Sequence, residues 1–344
     1  CKYRHPILTK QAFQSVYEIM NSGELSGFRG SPEGHDGGKF VQKLEAEFKA
    51  YFGIKHAIAV QSATAGLHTC VMALSKKNDE IIVSPYTFAS SATCVLMAGR
   101  NVKFVDIDED LFGIRPPTGI NWVSDGVVPV HLCGNPLDYN KVVKPLLPMF
   151  VIEDAAQALG AVYKNRLVGT LGDCGVFSFN QSKPVSCGEG GMVITNNDDI
   201  ARKVRALRNH GEVSDPQLRM FGYNYRMTEI EAAIVLEQFR NLDKMNAHRI
   251  MLCNYMTDEL WKIDGLTPPY VLPNCKHVYY TYAVKFNKDK LGMHRDEFQK
   301  RMMERGIYMG SGYVKPLHLL PLFGGHEGQY PVAERMCRDE LLVF

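Results

Sequence analysis

Two short stretches combine residue types that can do chemistry together. EDAAQALGA (Glu153 to Ala161) follows the apolar run PMFVIE and puts Asp154 at the end of a predicted strand. FSFNQSKPVSCGEGG (Phe177 to Gly191) carries a lone lysine, Lys183, between Ser178 and a glycine-rich turn. A strand-end acid with a lysine downstream suits pyridoxal phosphate (PLP) chemistry. The lysine forms a Schiff base with the cofactor aldehyde, and the acid keeps the pyridine nitrogen protonated so that the ring can absorb a carbanion's electrons. Released by an amino donor, the lysine amine can move a proton between substrate carbon and cofactor. The plain alternatives are an exposed surface lysine and a helix N-cap aspartate.

A phosphate needs further donors. Ala63 and Thr64, in SATAGLH (Ser62 to His68), lie at a predicted helix start, where open N–H groups and the helix dipole favour anions. Simple N-capping by Thr64 is the competing account and is compatible with phosphate binding. Ser178 adds a hydroxyl. Gln157, three residues after Asp154, points the same way if that turn is helical.

The elements that must position these groups alternate. Residues 8–21 read as a helix with Phe13, Val16, Ile19 and Met20 on one face. A glycine-rich loop, Gly23 to Gly38, follows; loops of this length in a compact enzyme are usually functional or mobile. Phe40 to Phe52 reads as a second amphipathic helix. Then come strand HAIAVQ, helix Thr64 to Leu74, strand EIIVSP, helix Ala89 to Ala98, and strands VKFVDI, VVPVHL, FVIEDA, GVFSF and GGMVITN. Short apolar strands among helices argue for an α/β fold with a mostly parallel sheet covered on both faces. IARKVRALRNHG is helical, and a long helix is predicted from Thr228 to about Met245, opened by a Thr228/Glu231 capping box. From about 246 the pattern changes to helix, strand (HVYYTYAVKF), helix (Arg295 to Arg305) and strand, a smaller α+β domain.

Bulk properties exclude several classes. The 344 residues are 45% hydrophobic and 22% charged, an ordinary globular balance with length for two domains. With 39 basic and 37 acidic residues the formal charge is +2, which gives no reason to expect nucleic acid or a membrane surface as partner. No apolar run approaches the roughly 20 residues of a spanning helix. The N-terminal CKYRHPILTK has no signal-peptide core, so the cytoplasm is expected. The nine cysteines form no C-x-x-C pair, which argues against a metal site or a disulfide framework.

In order along the chain, SATAGLH, SPYTFASSATCVLMAG (Ser84 to Gly99), PVHLCGNPLD (Pro129 to Asp138), the two stretches above, GYNYRMTEIEAAI (Gly222 to Ile234) and, more weakly, YVKPLH (Tyr313 to His318) resemble the DegT/DnrJ/EryC1/StrS family of PLP-dependent sugar aminotransferases. The resemblance covers nearly the whole chain. It implies a fold-type I PLP-dependent transferase fold, aspartate aminotransferase-like, with a PLP-binding large domain (1–238) and a smaller α+β C-terminal domain (239–344). Family chains usually continue past Phe344, so both ends are expected to be trimmed or disordered. Most of the family has glycine where this chain has Ala63, but alanine keeps the N–H. The implied roles are Gln157 at the cofactor's phenolic oxygen, Phe88 stacked on the pyridine ring, and Asn224 reaching the phosphate from a neighbouring subunit, hence a homodimer with shared active sites. Substrate candidates are Tyr313, Lys315 and His318, with His210, Arg226 and, in the glycine-rich loop, Arg29 and Ser31. The implied reaction is ping-pong: glutamate aminates the cofactor to pyridoxamine phosphate, which aminates a keto-sugar. A nucleotide-linked 3-keto or 4-keto hexose is expected, as in the making of lipopolysaccharide, capsule or antibiotic sugars. Some relatives have histidine at the lysine position and dehydrate instead, so Lys183 favours transamination. A free keto-sugar acid as acceptor, a dehydratase and a catalytically silent binding protein are the alternatives.

Overall fold

The computed structural model describes residues 8–28, 34–115, 124–213, 217, 219–313 and 315–344. Helices α1 (Lys10–Ser22) and α2 (Lys39–Phe52) lead into strand β1 (His56–Val60) and helix α3 (Ala63–Leu74). Then follow β2 (Glu80–Val83), α4 (Ser90–Met97), β3 (Asn101–Phe104), β4 (Gly126–Val128), the short α5 (Tyr139–Val142) and β5 (Phe150–Asp154). A small hairpin, β6 (Val162–Tyr163) and β7 (Arg166–Leu167), precedes β8 (Cys174–Ser178) and β9 (Gly191–Thr195). Helices α6 (Asp198–Arg208), α7 (Glu229–Phe239) and α8 (Leu242–Leu260) complete this part.

The main sheet has seven strands in the order β1-β9-β8-β5-β4-β2-β3. All pairings are parallel except those of β9, which runs antiparallel to β1 and β8. Because β9 runs the other way, its first residue, Gly191, lies beside the last residues of its neighbours, Val60 and Ser178. One edge of the sheet therefore collects the C-terminal ends of β1, β8 and β5. Strands β5, β8 and β9 are buried along their whole length, which is why they read as unbroken apolar runs. Helix α3 lies close against them: a Cβ on Gly66 would meet Val176 at 2.8 Å. On the other face, Phe48 of α2 stacks on Phe239 of α7 with ring centres 4.1 Å apart. Each such ring buried stabilises the fold by about 1.5–3 kcal/mol.

The smaller part contains β10 (Leu266–Thr267), β11 (Cys275–Lys276), β12 (Ala283–Phe286), α9 (Lys288–Leu291), α10 (Arg295–Glu304) and β13 (Leu341–Val343). Strands β10, β12 and β13 form one sheet, and β11 joins the hairpin β6–β7. The boundary expected between 238 and 239 falls at the last turn of α7. Helix α8 belongs to both parts. Its start is tied to the larger part by Tyr51 Oη of α2 donating to Asp243 (2.8 Å) and Asn246 donating to Leu159 O in the loop after β5 (3.1 Å), while Cys253 joins the smaller core.

Three expectations are corrected. The helix predicted from Thr228 to Met245 is two helices, broken at Arg240 and Asn241, although its capping box is present. The strand read in HVYYTYAVKF shrinks to Ala283–Phe286, because Tyr279 takes a left-handed φ of 48° and turns the chain. On α1 only Ala12 and Ile19 are buried; Phe13, Tyr17 and Met20 are 63%, 61% and 65% exposed.

Candidate active site

A cavity of about 530 Å³ opens at the sheet edge where β1, β5 and β8 end. Lys183, Asp154, Ala63, Thr64, Phe88, Gln157, Ser178 and Tyr313 all line it.

The anion end is built first. Ser62 caps α3, its Oγ accepting from Ala65 N–H at 3.1 Å. Ala63 and Thr64 are the first helical residues, so geometry leaves their N–H groups without acceptors inside the helix. Thr64 Oγ1 lies 2.8 Å from Ser90 Oγ, at the start of α4. A Cβ on Gly191 would fall 2.7 Å from Ala63 N, so only glycine lets β9 back onto this turn. Two helix N-termini and several hydroxyls thus converge on one small volume, a donor set that fits a phosphate.

The acid lies deeper. Asp154 ends β5 and is 5% exposed. Ser91 Oγ donates to Oδ2 at 2.6 Å and Ala156 N–H to Oδ1 at 3.1 Å. No cation lies in ion-pair contact with it among the described residues. Burial pushes the carboxyl above its usual range; the Ser91 and Ala156 donors and the charges of Lys183 and His131 pull the other way without cancelling it. A buried carboxylate in this state gains from any cation placed beside it, such as a protonated ring nitrogen.

Lys183 is half-buried on the turn between β8 and β9, its own N–H donating to Asn180 O at 2.8 Å. Gln157 is oriented from both ends: Oε1 accepts from Cys133 N–H (2.7 Å), and Nε2 donates to Tyr313 Oη (3.1 Å). Burial raises the Tyr313 hydroxyl above its ordinary value and the Cys133 thiol to about 12, so both walls stay neutral. Phe88 is 62% exposed at the cavity, an apolar ring without a cover. A flat aromatic ligand would give it one.

Other expected residues lie off this wall. Asn224 is exposed and pairs through its backbone with Asn209. His210 is exposed with φ 57°, and Arg226 donates to Asn209 Oδ1 at 3.1 Å. Lys315 is exposed, and His318 is buried with Nε2 3.0 Å from Glu334 Oε1. Of the substrate candidates within the described residues, only Tyr313 reaches the cavity of its own chain; Arg29 and Ser31 lie outside those residues. Sequence reasoning missed Ser90, Ser91 and Tyr280. The first two stand right after Phe88 in the same block, so their hydroxyls were a readable signal. Tyr280 comes from the smaller part and had none. Among the described residues, no cluster of three or more His, Cys, Asp or Glu could hold a metal, and no helix is long and apolar enough to cross a membrane.

Comparison with known proteins agrees with this geometry. The model of the DegT/DnrJ/EryC1/StrS aminotransferase family matches residues 8–343. The spore coat polysaccharide biosynthesis protein SpsC of Bacillus subtilis is 32% identical, over 96% of this chain and 88% of its own length. GDP-perosamine synthase of Caulobacter vibrioides is 35% identical, over 83% of this chain and 78% of its own. The X-ray structure of DesV from S. venezuelae superposes with a TM-score of 0.86 at 28% identity, covering 99% of this chain and 93% of that one.

Proposed function

Given that the chain belongs to the DegT/DnrJ/EryC1/StrS aminotransferase family and is a PLP-dependent sugar aminotransferase, we propose that it transfers an amino group from glutamate to a nucleotide-linked keto-hexose. The observation that carries this reading is one cavity holding the Lys183 amine, the cation-poor Asp154 carboxylate and the open first turn of α3. When bound, PLP supplies a carbon that accepts the amino group and a ring that withdraws electrons from it.

The chain's own residues do the rest. Ala63 and Thr64 N–H groups, with the Thr64, Ser90 and Ser178 hydroxyls, hold the phosphate. Asp154 pairs with the ring nitrogen, and Ser91 and Ala156 keep that carboxylate aimed. Gln157 meets the phenolic oxygen, and Phe88 covers the ring and excludes water. Lys183 anchors the cofactor through Nζ. When displaced, the same Nζ would take the proton from the amino donor's carbon and hand it to the cofactor carbon that bears the nitrogen, and would run the transfer in reverse for the keto-sugar. Tyr313, on the cavity wall beside Gln157, is the residue of this chain assigned to sugar contact in this reading. The acceptor class is supported by the names of the relatives, one a GDP-perosamine synthase and one a spore coat polysaccharide protein.

The site is shared between two copies in this reading. Asn224 is exposed and absent from its own cavity, and α1 presents Phe13, Tyr17 and Met20 outward. Both features suit a two-fold interface of the obligate kind, which can exceed about 2,000 Å². Mixing inactive Lys183→Ala with inactive Asn224→Ala chains then restores one intact site per hybrid dimer. Exchange of subunits without return of activity contradicts sharing.

A panel of nucleotide-linked 3-keto and 4-keto hexoses, with glutamate as donor and mass detection of the amino sugar, tests the substrate. Amination of at least one member is expected. Conversion of a free keto-sugar acid alone contradicts the nucleotide-linked assignment.

A further inference from the structure

Tyr280 belongs to the smaller part, yet it lines the same cavity as Lys183. Lys183 Nζ lies 4.1 Å from the centre of its ring. The Tyr280 hydroxyl is 3.1 Å from Ser182 Oγ, one residue before the lysine. Ser182 donates its own hydroxyl hydrogen to Asn180 Oδ1 at 2.9 Å, so Tyr280 is the donor in this contact.

The segment that carries the ring is held tightly. Val278 N–H donates to Gly134 O at 3.0 Å and Thr281 N–H to Cys133 O at 3.2 Å. Both sides of this contact contain a non-glycine residue in the left-handed region, Cys133 at φ 59° and Tyr279 at φ 48°. Such conformations carry a cost, and they persist where surrounding structure holds a group in a set place.

The geometry points to Tyr280 as a positioning residue: the face of its ring is the seat of the Lys183 amine in its protonated form. The inference rests on Lys183 being the anchoring lysine. An aromatic face is negative and attracts an ammonium, not a neutral amine. In the reaction above, Lys183 holds an additional proton for part of each turnover. The substrate C–H bond breaks, its electron pair stays with the carbon, and an N–H bond forms at Nζ. During that interval the amine is unattached at the end of a flexible chain. The ring 4.1 Å away keeps it on the cavity wall, and the hydroxyl bond to Ser182 sets the ring's height. Asp154 and Glu189 also line the cavity, so the ring is not the sole attraction, but it is the one that a single substitution removes without altering charge.

The test uses the cofactor-free protein and trace acylation by acetic anhydride at neutral pH, read at the Lys183 peptide by mass spectrometry. Only a neutral amine is acylated. Tyr280→Leu takes away the seat, so Lys183 acylation is expected to rise about 3- to 10-fold over wild type. Tyr280→Phe keeps the ring and is expected to stay within about 2-fold. Phenylalanines of increasing ring fluorination at 280 keep the shape while weakening the face, and acylation should climb along the series; this arm stands even if the leucine variant does not fold. Equal rates in wild type and Tyr280→Leu, or a flat fluorine series, overturn the inference. Failure of the underlying assignment looks different: borohydride would then not fix PLP to Lys183 in the wild type.

Discussion

Glu153 and Asp154 are neighbours on β5, both buried, and their side chains leave opposite faces of the sheet. Glu153 receives four donors: His131 Nε2 at 3.0 Å and the backbone N–H groups of Gly169, Leu171 and Gly172. Every lone pair that matters is used, and the acid ties the loop after β7 to the sheet. Asp154 has two donors and a cavity in front of it. The strand thus carries one acid whose charge is committed to structure and one whose charge is left for a ligand. Burial alone does not separate a scaffold residue from a chemical one; the balance of donors around the group does.

Four substitutions or titrations probe this contrast. The largest effect is expected across the cavity: Lys183→Ala should abolish turnover, while equilibrium dialysis still finds PLP bound without a covalent link. Next, Asp154→Asn keeps the shape but loses the charge that, in the proposed reading, would hold the ring nitrogen protonated. Its kcat should fall by about 100- to 1,000-fold, with PLP retained in the absorbance spectrum. An unchanged kcat would mean that another group serves the nitrogen.

The neighbour should respond in the opposite manner. Glu153→Gln turns an amide N–H₂ toward inward-pointing donors, and should cost about 2–4 kcal/mol of stability in urea unfolding. The activity of the folded fraction should change little. A loss of kcat as large as that of Asp154→Asn, without loss of stability, would erase the distinction between the two acids.

The smallest effect is a pH dependence. Burial raises the Asp154 carboxyl above its ordinary value near 3.8 in the cofactor-free protein. The native chain then holds this proton to higher pH than the unfolded chain, so unfolding releases it. Asp154 therefore lowers stability progressively as pH rises from about 3.8 through its raised value. Each tenfold tightening of the carboxyl's hold on its proton is worth about 1.4 kcal/mol. Urea midpoints of wild type minus Asp154→Asn, taken without PLP, should decline with pH across that window. A flat difference would mean that Asp154 is not strained by burial.

Much of this site was legible because its parts are local. A strand end, a turn and a helix start each leave a mark within a few residues, so Asp154, Lys183, Ser178 and Thr64 could be placed from short blocks. What stayed hidden depends on approach between distant elements. Ser91 matters because α4 brings it to a carboxylate 63 positions away in sequence. Tyr280 matters because a strained turn at Tyr279 aims it, and that same turn broke the strand predicted there. His318 sits in a block that resembled a substrate segment, yet its partner is Glu334, which pattern could not reveal. On α1 the apolar periodicity was real, but Phe13 and Met20 face outward, and periodicity alone cannot say what covers them.

The central claim is that Lys183 is the residue that anchors PLP, with Asp154 as its counterpart at the ring. Borohydride reduction of the PLP-loaded wild-type protein, followed by peptide mass mapping, tests it directly. A single phosphopyridoxyl label on the peptide carrying Lys183, absent from Lys183→Ala, is the predicted result. A label on a different lysine, or none in a protein that still transaminates, would contradict the account.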